Sequence, residues 1–323
     1  MRSYPLLFLS LLFLSLLTAC GSGPTSGPRV DFIGTSRFTT SDRLLTTPGD
    51  TITSFLYADN RGENNPLLKR FRITVNYEPG PGPIYHVQGR GTAPGNLEIT
   101  YLDSALSLNE FVFLHQFSSR TTSGRETWRF EAEDAGNDKA GRSYILTTRR
   151  ADSTAFIQTY SVLLQAPASR AGARRSYLDA RDGLTFAGYS AASNPSVQAL
   201  VDLVYVPIAN GGFSLASPND PTAQARLNIS TAAWPNARKT EVRLTNLTAA
   251  QFAEQNTEQL LFSGFNDAPL SSANITASLA EKKVVAFNTA DGRKGLILVD
   301  DILDTAIPTV RLQVRVTKRQ FPQ

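Results

Sequence analysis

The sequence predicts a mainly β protein: an N-terminal immunoglobulin-like β-sandwich followed by a mixed, β-rich α+β domain. Three observations carry this. Apolar and polar residues nearly alternate in several runs, as with Leu68, Phe71, Ile73, Val75 and Tyr77 against Lys69, Arg70, Arg72, Thr74 and Asn76. That is the period of a strand with one buried face. Turn-forming clusters separate the runs, among them Pro79-Gly80-Pro81-Gly82-Pro83, Pro94-Gly95-Asn96, Ser123-Gly124 and Ala135-Gly136-Asn137. Helical spacing is confined to the second half, at Leu260, Leu261 and Phe265.

Taken in order, the chain opens with Arg2 and an apolar run from Leu6 to Leu17 that ends in small residues, the layout of a secretory signal over residues 1–19. The run is about a dozen residues, against the roughly 20 that a membrane-spanning helix needs. Its last four residues, Leu17-Thr18-Ala19-Cys20, contain the single cysteine of the chain and resemble the lipobox of bacterial lipoproteins. The resemblance implies that Cys20 is lipidated, becomes the first residue of the mature chain and anchors it to a membrane. Gly21 and Ser22 do not resemble an acidic retention or surface-export signal, which points to an outer-membrane anchor facing the periplasm. Residues 20–29, rich in Gly, Ser and Pro, read as a flexible tether.

Residues 30–165 form the expected sandwich. Strand patterns cover Thr51–Asp59, Leu68–Tyr77, Leu97–Leu102, Phe111–Phe117, Thr127–Glu133 and Ser143–Thr148. Several short strands with regular turn signals suit two packed antiparallel sheets. The run from Trp128 to Asn137 resembles the penultimate strand and turn of bacterial immunoglobulin-like modules. Residues 166–175 contain no apolar side chain larger than Ala or Pro, and carry Arg170, Arg174 and Arg175. They read as a solvated linker between two independently folding halves.

In residues 176–323, Leu184–Gly188 and Leu200–Ile208 read as strands, the second an almost unbroken apolar run that encloses Asp202. Thr248 and Gln251 have the spacing of a capping box, and a second helix begins at Thr257. Val284–Thr289 and Gly295–Val299 flank Asp291-Gly292, a strong hairpin signal. Val310, Leu312, Val314 and Val316 alternate with polar residues in a last strand. The segments Val201–Tyr205, Leu215–Pro218, Leu247–Phe252 and Val285–Ile297 together resemble a domain that recurs in uncharacterised exported lipoproteins of Bacteroidota-type bacteria. That resemblance implies a location and no activity.

Chemistry is sparse. The net charge is +4, and between Arg29 and Asp152 the fifteen basic residues match fifteen acidic ones. No basic patch of the kind that nucleic acid requires stands out. Two histidines, His86 and His115, and one cysteine supply no metal-ligand spacing. No phosphate-binding glycine loop is present. Gly212-Phe213-Ser214-Leu215-Ala216 approaches a nucleophile elbow, but no histidine follows it to complete a triad. The acids Glu131, Glu133, Asp134 and Asp138 surround a turn without the regular spacing of a calcium loop. No cofactor is expected.

The expectation is a non-enzymatic binding or scaffolding module, with an envelope protein as partner. A carbohydrate-binding role, with exposed aromatic rings around Trp234 and Tyr205, is the alternative. A hydrolase with converging carboxylates is the third reading. The candidate ligand-binding residues are Asp202, Tyr205, Ser217 and Trp234, polar and aromatic positions that interrupt apolar strands.

Overall fold

A computed structural model describes residues 27–33, 42–45, 51–61, 65–79, 97–121, 123–148, 156–167, 172–209, 211–228, 234–269, 274–303 and 306–318. The signal segment, Cys20, the tether up to Ser26, and His86 lie outside the described residues. Two sheets make up the N-terminal half. Sheet I has the order β1-β3-β6, built from β1 (Gly27–Phe32), β3 (Thr51–Arg61) and β6 (Glu110–Ser118). Sheet II has the order β2-β8-β7-β4-β5. It comprises β2 (Asp42–Leu45), β4 (Leu68–Pro79), β5 (Leu97–Leu108), β7 (Gly124–Asp134) and β8 (Lys139–Thr148). All pairings are antiparallel except β2 with β8. The alternation along β4 points Phe71, Ile73 and Val75 into a core that also holds Phe117, Trp128 and Phe130. Rings from the two sheets meet there: Phe117 and Trp128 lie 3.9 Å apart between centroids, and Phe32 meets Phe130 edge-on at 5.3 Å. Aromatic pairs of this geometry add to the burial of their area. The sandwich architecture is the expected one.

The second half holds sheet III, in the order β11-β10-β12-β13, and sheet IV, in the order β14-β15-β16-β17-β9. Sheet III comprises β10 (Arg175–Asp179), β11 (Leu184–Ala187), β12 (Leu203–Pro207) and β13 (Phe213–Ala216). Sheet IV comprises β9 (Ile157–Gln165), β14 (Glu241–Leu244), β15 (Val284–Asn288), β16 (Lys294–Leu303) and β17 (Thr309–Thr317). The described residues include five short helices: α1 (Gly188–Ser193), α2 (Pro195–Gln198), α3 (Pro221–Arg226), α4 (Ala249–Glu254) and α5 (Glu258–Asn266). The capping box forms as the spacing requires, with Thr248 and Gln251 exchanging hydrogen bonds at the start of α4. Thr257 caps α5, whose Leu261 and Phe265 are buried against sheet IV. The Asp291-Gly292 turn joins β15 to β16, with Gly292 at φ +78°, a conformation that costs glycine least.

Sheet III is covered on both faces. Leu178, Leu203, Tyr205 and Leu215 pack against Val285, Phe287, Ile297 and Val310 of sheet IV. Tyr177, Phe186, Val204 and Val206 belong to the core of the N-terminal sandwich, together with Trp234. Double burial explains the unbroken apolar run of β12, which alternation could not produce.

Three expectations about the domain layout need correcting. Residues 27–29, the end of the expected tether, are paired with Asp59–Arg61 as the start of β1. β9 pairs with β17 along its whole length, from Ile157 opposite Thr317 to Gln165 opposite Thr309, so it is the edge strand of sheet IV and not the last strand of the sandwich. Tyr160, Val162 and Leu164 turn one face of β9 into the core, and that preference does not specify which strand lies beside it. The linker is not solvated throughout either. Ala166 is buried, Arg174 Nη1 donates to the Ala166 carbonyl at 3.3 Å, and Arg175 is 4% exposed within β10. The halves share one core, with Tyr101 and Phe186 rings 5.4 Å apart and His115 Nδ1 3.0 Å from the Tyr189 hydroxyl.

Candidate functional site

Asp202 precedes β12, where the apolar flanks of its run are drawn into the two cores and take the carboxylate with them. It is fully buried. One oxygen accepts from the Ala180 amide at 3.0 Å and the other from Arg238 Nε at 2.7 Å. Arg238 also donates to Asp291 at 2.9 Å, and Asp291 contacts Arg293 at 3.3 Å and the Thr289 hydroxyl at 2.5 Å. The hairpin turn read from the sequence thus delivers a carboxylate to the same arginine that neutralises Asp202.

A second chain of charges joins the halves. Arg120, beyond β6, donates through Nε to Glu126 at 2.9 Å and through Nη1 to Asp182 at 2.8 Å. Its guanidinium lies 3.8 Å over the Tyr77 ring. Asp182 also pairs with Arg181 at 2.7 Å, and Asp179 accepts from the amides of Arg181 and Asp182. Burial disfavours the Arg120 charge, but Asp182 and Glu126 outweigh that and hold its pKa above the ordinary arginine value. The same holds for Arg238, where Asp202 and Asp291 outweigh burial. For Arg293 burial wins over Asp291, and its pKa is lowered.

These acids are occupied. A catalytic acid or base must reach a reacting group at hydrogen-bond distance. Asp202 and Asp291 are instead bridged by the Arg238 guanidinium. Among the described residues, no group of three or more His, Cys, Asp or Glu side chains is arranged to hold a metal ion. Around the β7–β8 turn, Lys69 and Lys139 pair with Glu133, Lys139 also reaches Glu131, and Asp134 is buried with Oδ1 on the Gly136 and Asp138 amides. That turn is a built structural feature.

The other three predicted residues are also packed inside, which corrects the expectation of a ligand surface. Ser217 is fully buried, donates to the Arg238 carbonyl at 3.1 Å and accepts from the Thr240 amide at 3.0 Å. It fixes the backbone of the segment whose side chain holds Asp202. Trp234 is 1% exposed and packs at 5.9 Å on Tyr177, whereas Tyr205, equally buried, packs at 4.9 Å on Phe213. The two rings lie on opposite faces of sheet III. Neither is available to stack on a sugar. Asp202 and Ser217 converge on Arg238; Tyr205 and Trp234 do not meet.

Exposed apolar surface occurs elsewhere, on the outer face of sheet I. Val112 is 50% and Leu114 48% exposed on β6, opposite half-buried Tyr57 and Phe55 on β3. Arg29, paired with Asp31 and Asp59, and Glu110, which accepts from the Tyr57 hydroxyl, lie at one end of this patch. β6 is the last strand of its sheet. The apolar run from Phe111 to Leu114 conceals this in the sequence, because inward Phe111 and Phe113 alternate with outward Val112 and Leu114, which are apolar as well. Among the described residues, no helix is long and apolar enough to cross a membrane.

No family model matches the chain, and no curated protein matches it. Among solved structures the chain is similar to a DUF4466 family protein from Parabacteroides merdae, at 12% identity and a TM-score of 0.37 over 92% of this chain and all of the other. It is also similar to the PapD-like domain 7 of human CEP192, at 14% identity and a TM-score of 0.23 over 41% of this chain and 92% of that one. A third is the sporulation control protein Spo0M of Bacillus subtilis, at 11% identity and a TM-score of 0.23 over 58% of this chain and 77% of that one.

Proposed function

We propose that this protein is a lipid-anchored, non-enzymatic binding module of the cell envelope, held at the outer membrane through Cys20. The observation that supports a binding role is the Phe55, Tyr57, Val112 and Leu114 patch beside an edge strand. Contiguous exposed apolar surface with a polar rim is characteristic of protein interaction sites. An edge strand offers main-chain donors and acceptors to a further strand. The partner that fits is a protein presenting an extended segment along Glu110–Leu114, with apolar side chains directed at Val112 and Leu114. Occupation of the buried acids by arginines supports the non-enzymatic part of the reading.

A photoreactive amino acid placed at Val112 in cells is expected to give one discrete protein adduct. The same probe at Glu98, exposed on β5 of the other sheet, is expected to give none. Loss of the adduct in a Leu114→Asp background would support the face as the contact. No adduct at Val112, or equal labelling at both positions, would reject it. For the anchor, Cys20→Ser is expected to move the protein from the membrane to the soluble envelope fraction; unchanged fractionation would reject lipidation.

A further inference from the structure

One end of the sandwich carries two exposed leucines beside the start of the described fold. β1 starts there at Gly27, opposite the end of β3 at Arg61. β4 starts there at Leu68, opposite both Leu108 at the end of β5 and Asp134 at the end of β7. The ends of β3, β5 and β7 and the starts of β4, β6 and β8 therefore lie together at a single tip. Leu67 is 41% and Leu108 47% exposed on it.

The tip is braced. The Ala135 amide donates to the Leu67 carbonyl at 2.8 Å, and the Asn60 amide to the Asn109 carbonyl at 3.1 Å. Asn60 Nδ2 donates to the Pro66 carbonyl and, at 3.1 Å, to Asp134. The backbone that presents the two exposed leucines is thus held by hydrogen bonds across the strand ends.

Covalent geometry connects this tip to the anchor. Only residues 21–26 separate Cys20 from Gly27. Seven residue steps span at most about 25 Å when fully extended, and a Gly/Ser-rich chain of that length averages roughly 15 Å end to end. A position on Gly27 opposite Asp138 places the start of the fold on the tip itself, the Asp138 Cβ lying 4.0 Å from where a Gly27 side chain would begin. The C-terminal half packs on the sandwich from Tyr101 and Phe113 to Thr121, towards the other end of β6. That end lies about 26 Å from Glu110 at the rise of an extended strand.

We propose that this tip rests on the bilayer that carries the lipidated Cys20, with Leu67 and Leu108 entering the headgroup region and the C-terminal half directed away from the membrane. The inference rests on the lipid anchor proposed above. Two leucines would bind a membrane weakly as a free protein, but a tether this short turns the contact into an intramolecular one at high effective concentration.

The test uses the lipidated full chain in vesicles of phosphatidylethanolamine and phosphatidylglycerol. Cys20 is the only cysteine, so once it is lipidated a cysteine introduced at Leu108, Leu67 or Glu98 is the only free thiol. An environment-sensitive fluorophore on each is quenched by lipids bearing a headgroup quencher. Quenching at Leu67 and Leu108 is expected to exceed that at Glu98 severalfold. Leu67→Glu should reduce it at Leu108 while the protein still floats with the vesicles. Equal, weak quenching at all three positions on protein that floats would overturn the docking and leave the anchor intact. Protein that fails to float would overturn both.

Discussion

Lowering the pH should destabilise this protein through His115 before its carboxylates are titrated. His115 is fully buried between the sheets, stacked on Phe117 at 5.0 Å and near Trp128, with Nδ1 on the Tyr189 hydroxyl. Burial, with the Arg175 charge adding to it, pushes its pKa down from 6.5 to about 3. Between those values the unfolded chain binds a proton that the folded protein does not. Stability contributed by the neutral ring is therefore full above pH 6.5 and is lost as pH falls towards 3. The slope is about 1.4 kcal/mol per pH unit, so roughly 3 kcal/mol should be lost between pH 6.5 and pH 4. Urea midpoints measured across that range, at unchanged m-value, read the loss directly. His115→Gln keeps a hydrogen-bonding group for Tyr189 and removes the titration. It should flatten the dependence by most of that amount, leaving the share due to carboxylates. An identical pH slope in the variant would refute the assignment.

Because the halves share a core, Trp128 and Trp234 should report one event: single-tryptophan variants are expected to unfold with the same urea midpoint, and two separated midpoints would restore independent domains. Arg120→Met leaves Glu126 buried without its counter-ion and removes one from Asp182, for an expected loss of about 3–5 kcal/mol in urea denaturation; a loss below 1 kcal/mol would show that the bridge between halves is immaterial. Asp202→Asn retains an acceptor for the Ala180 amide but leaves Arg238 with Asp291 alone. A cost of about 3 kcal/mol is expected by the same measurement, since Arg238 is 13% exposed and can be partly hydrated. At Gly295 a Cβ would lie 2.3 Å from Phe287 and 2.6 Å from the Arg315 carbonyl, so Gly295→Ala should lower stability by about 1–3 kcal/mol, visible as a reduced thermal midpoint.

Much of this fold is legible locally. Alternation along β4, β7 and β17, the capping box at Thr248 and Gln251, and the Asp291-Gly292 turn are consequences of short-range sterics and hydrogen bonding. Each can be read from a few neighbouring residues, and each appears where the sequence places it. The apolar run of β12 is equally legible as a strand, with Asp202 enclosed at its start.

What the sequence by itself determined is which side of an element is hidden; what only the tertiary structure decided is against what. β9 carries its own pattern but takes its place from β17, some 150 residues later in the chain. Trp234 and Tyr205 read as possible contact residues because an aromatic ring has the same local sequence around it in a core and on a surface. Arg120, Asp182, Arg238 and Asp291 are ordinary charged residues until long-range packing removes water from around them, and only then must they pair. Val112 and Leu114 pose the opposite problem, being apolar residues left outside because nothing in the described fold covers the outer face of sheet I. Local pattern reports the preference of a side chain, and its neighbours in space are set by contacts that the order of residues does not display.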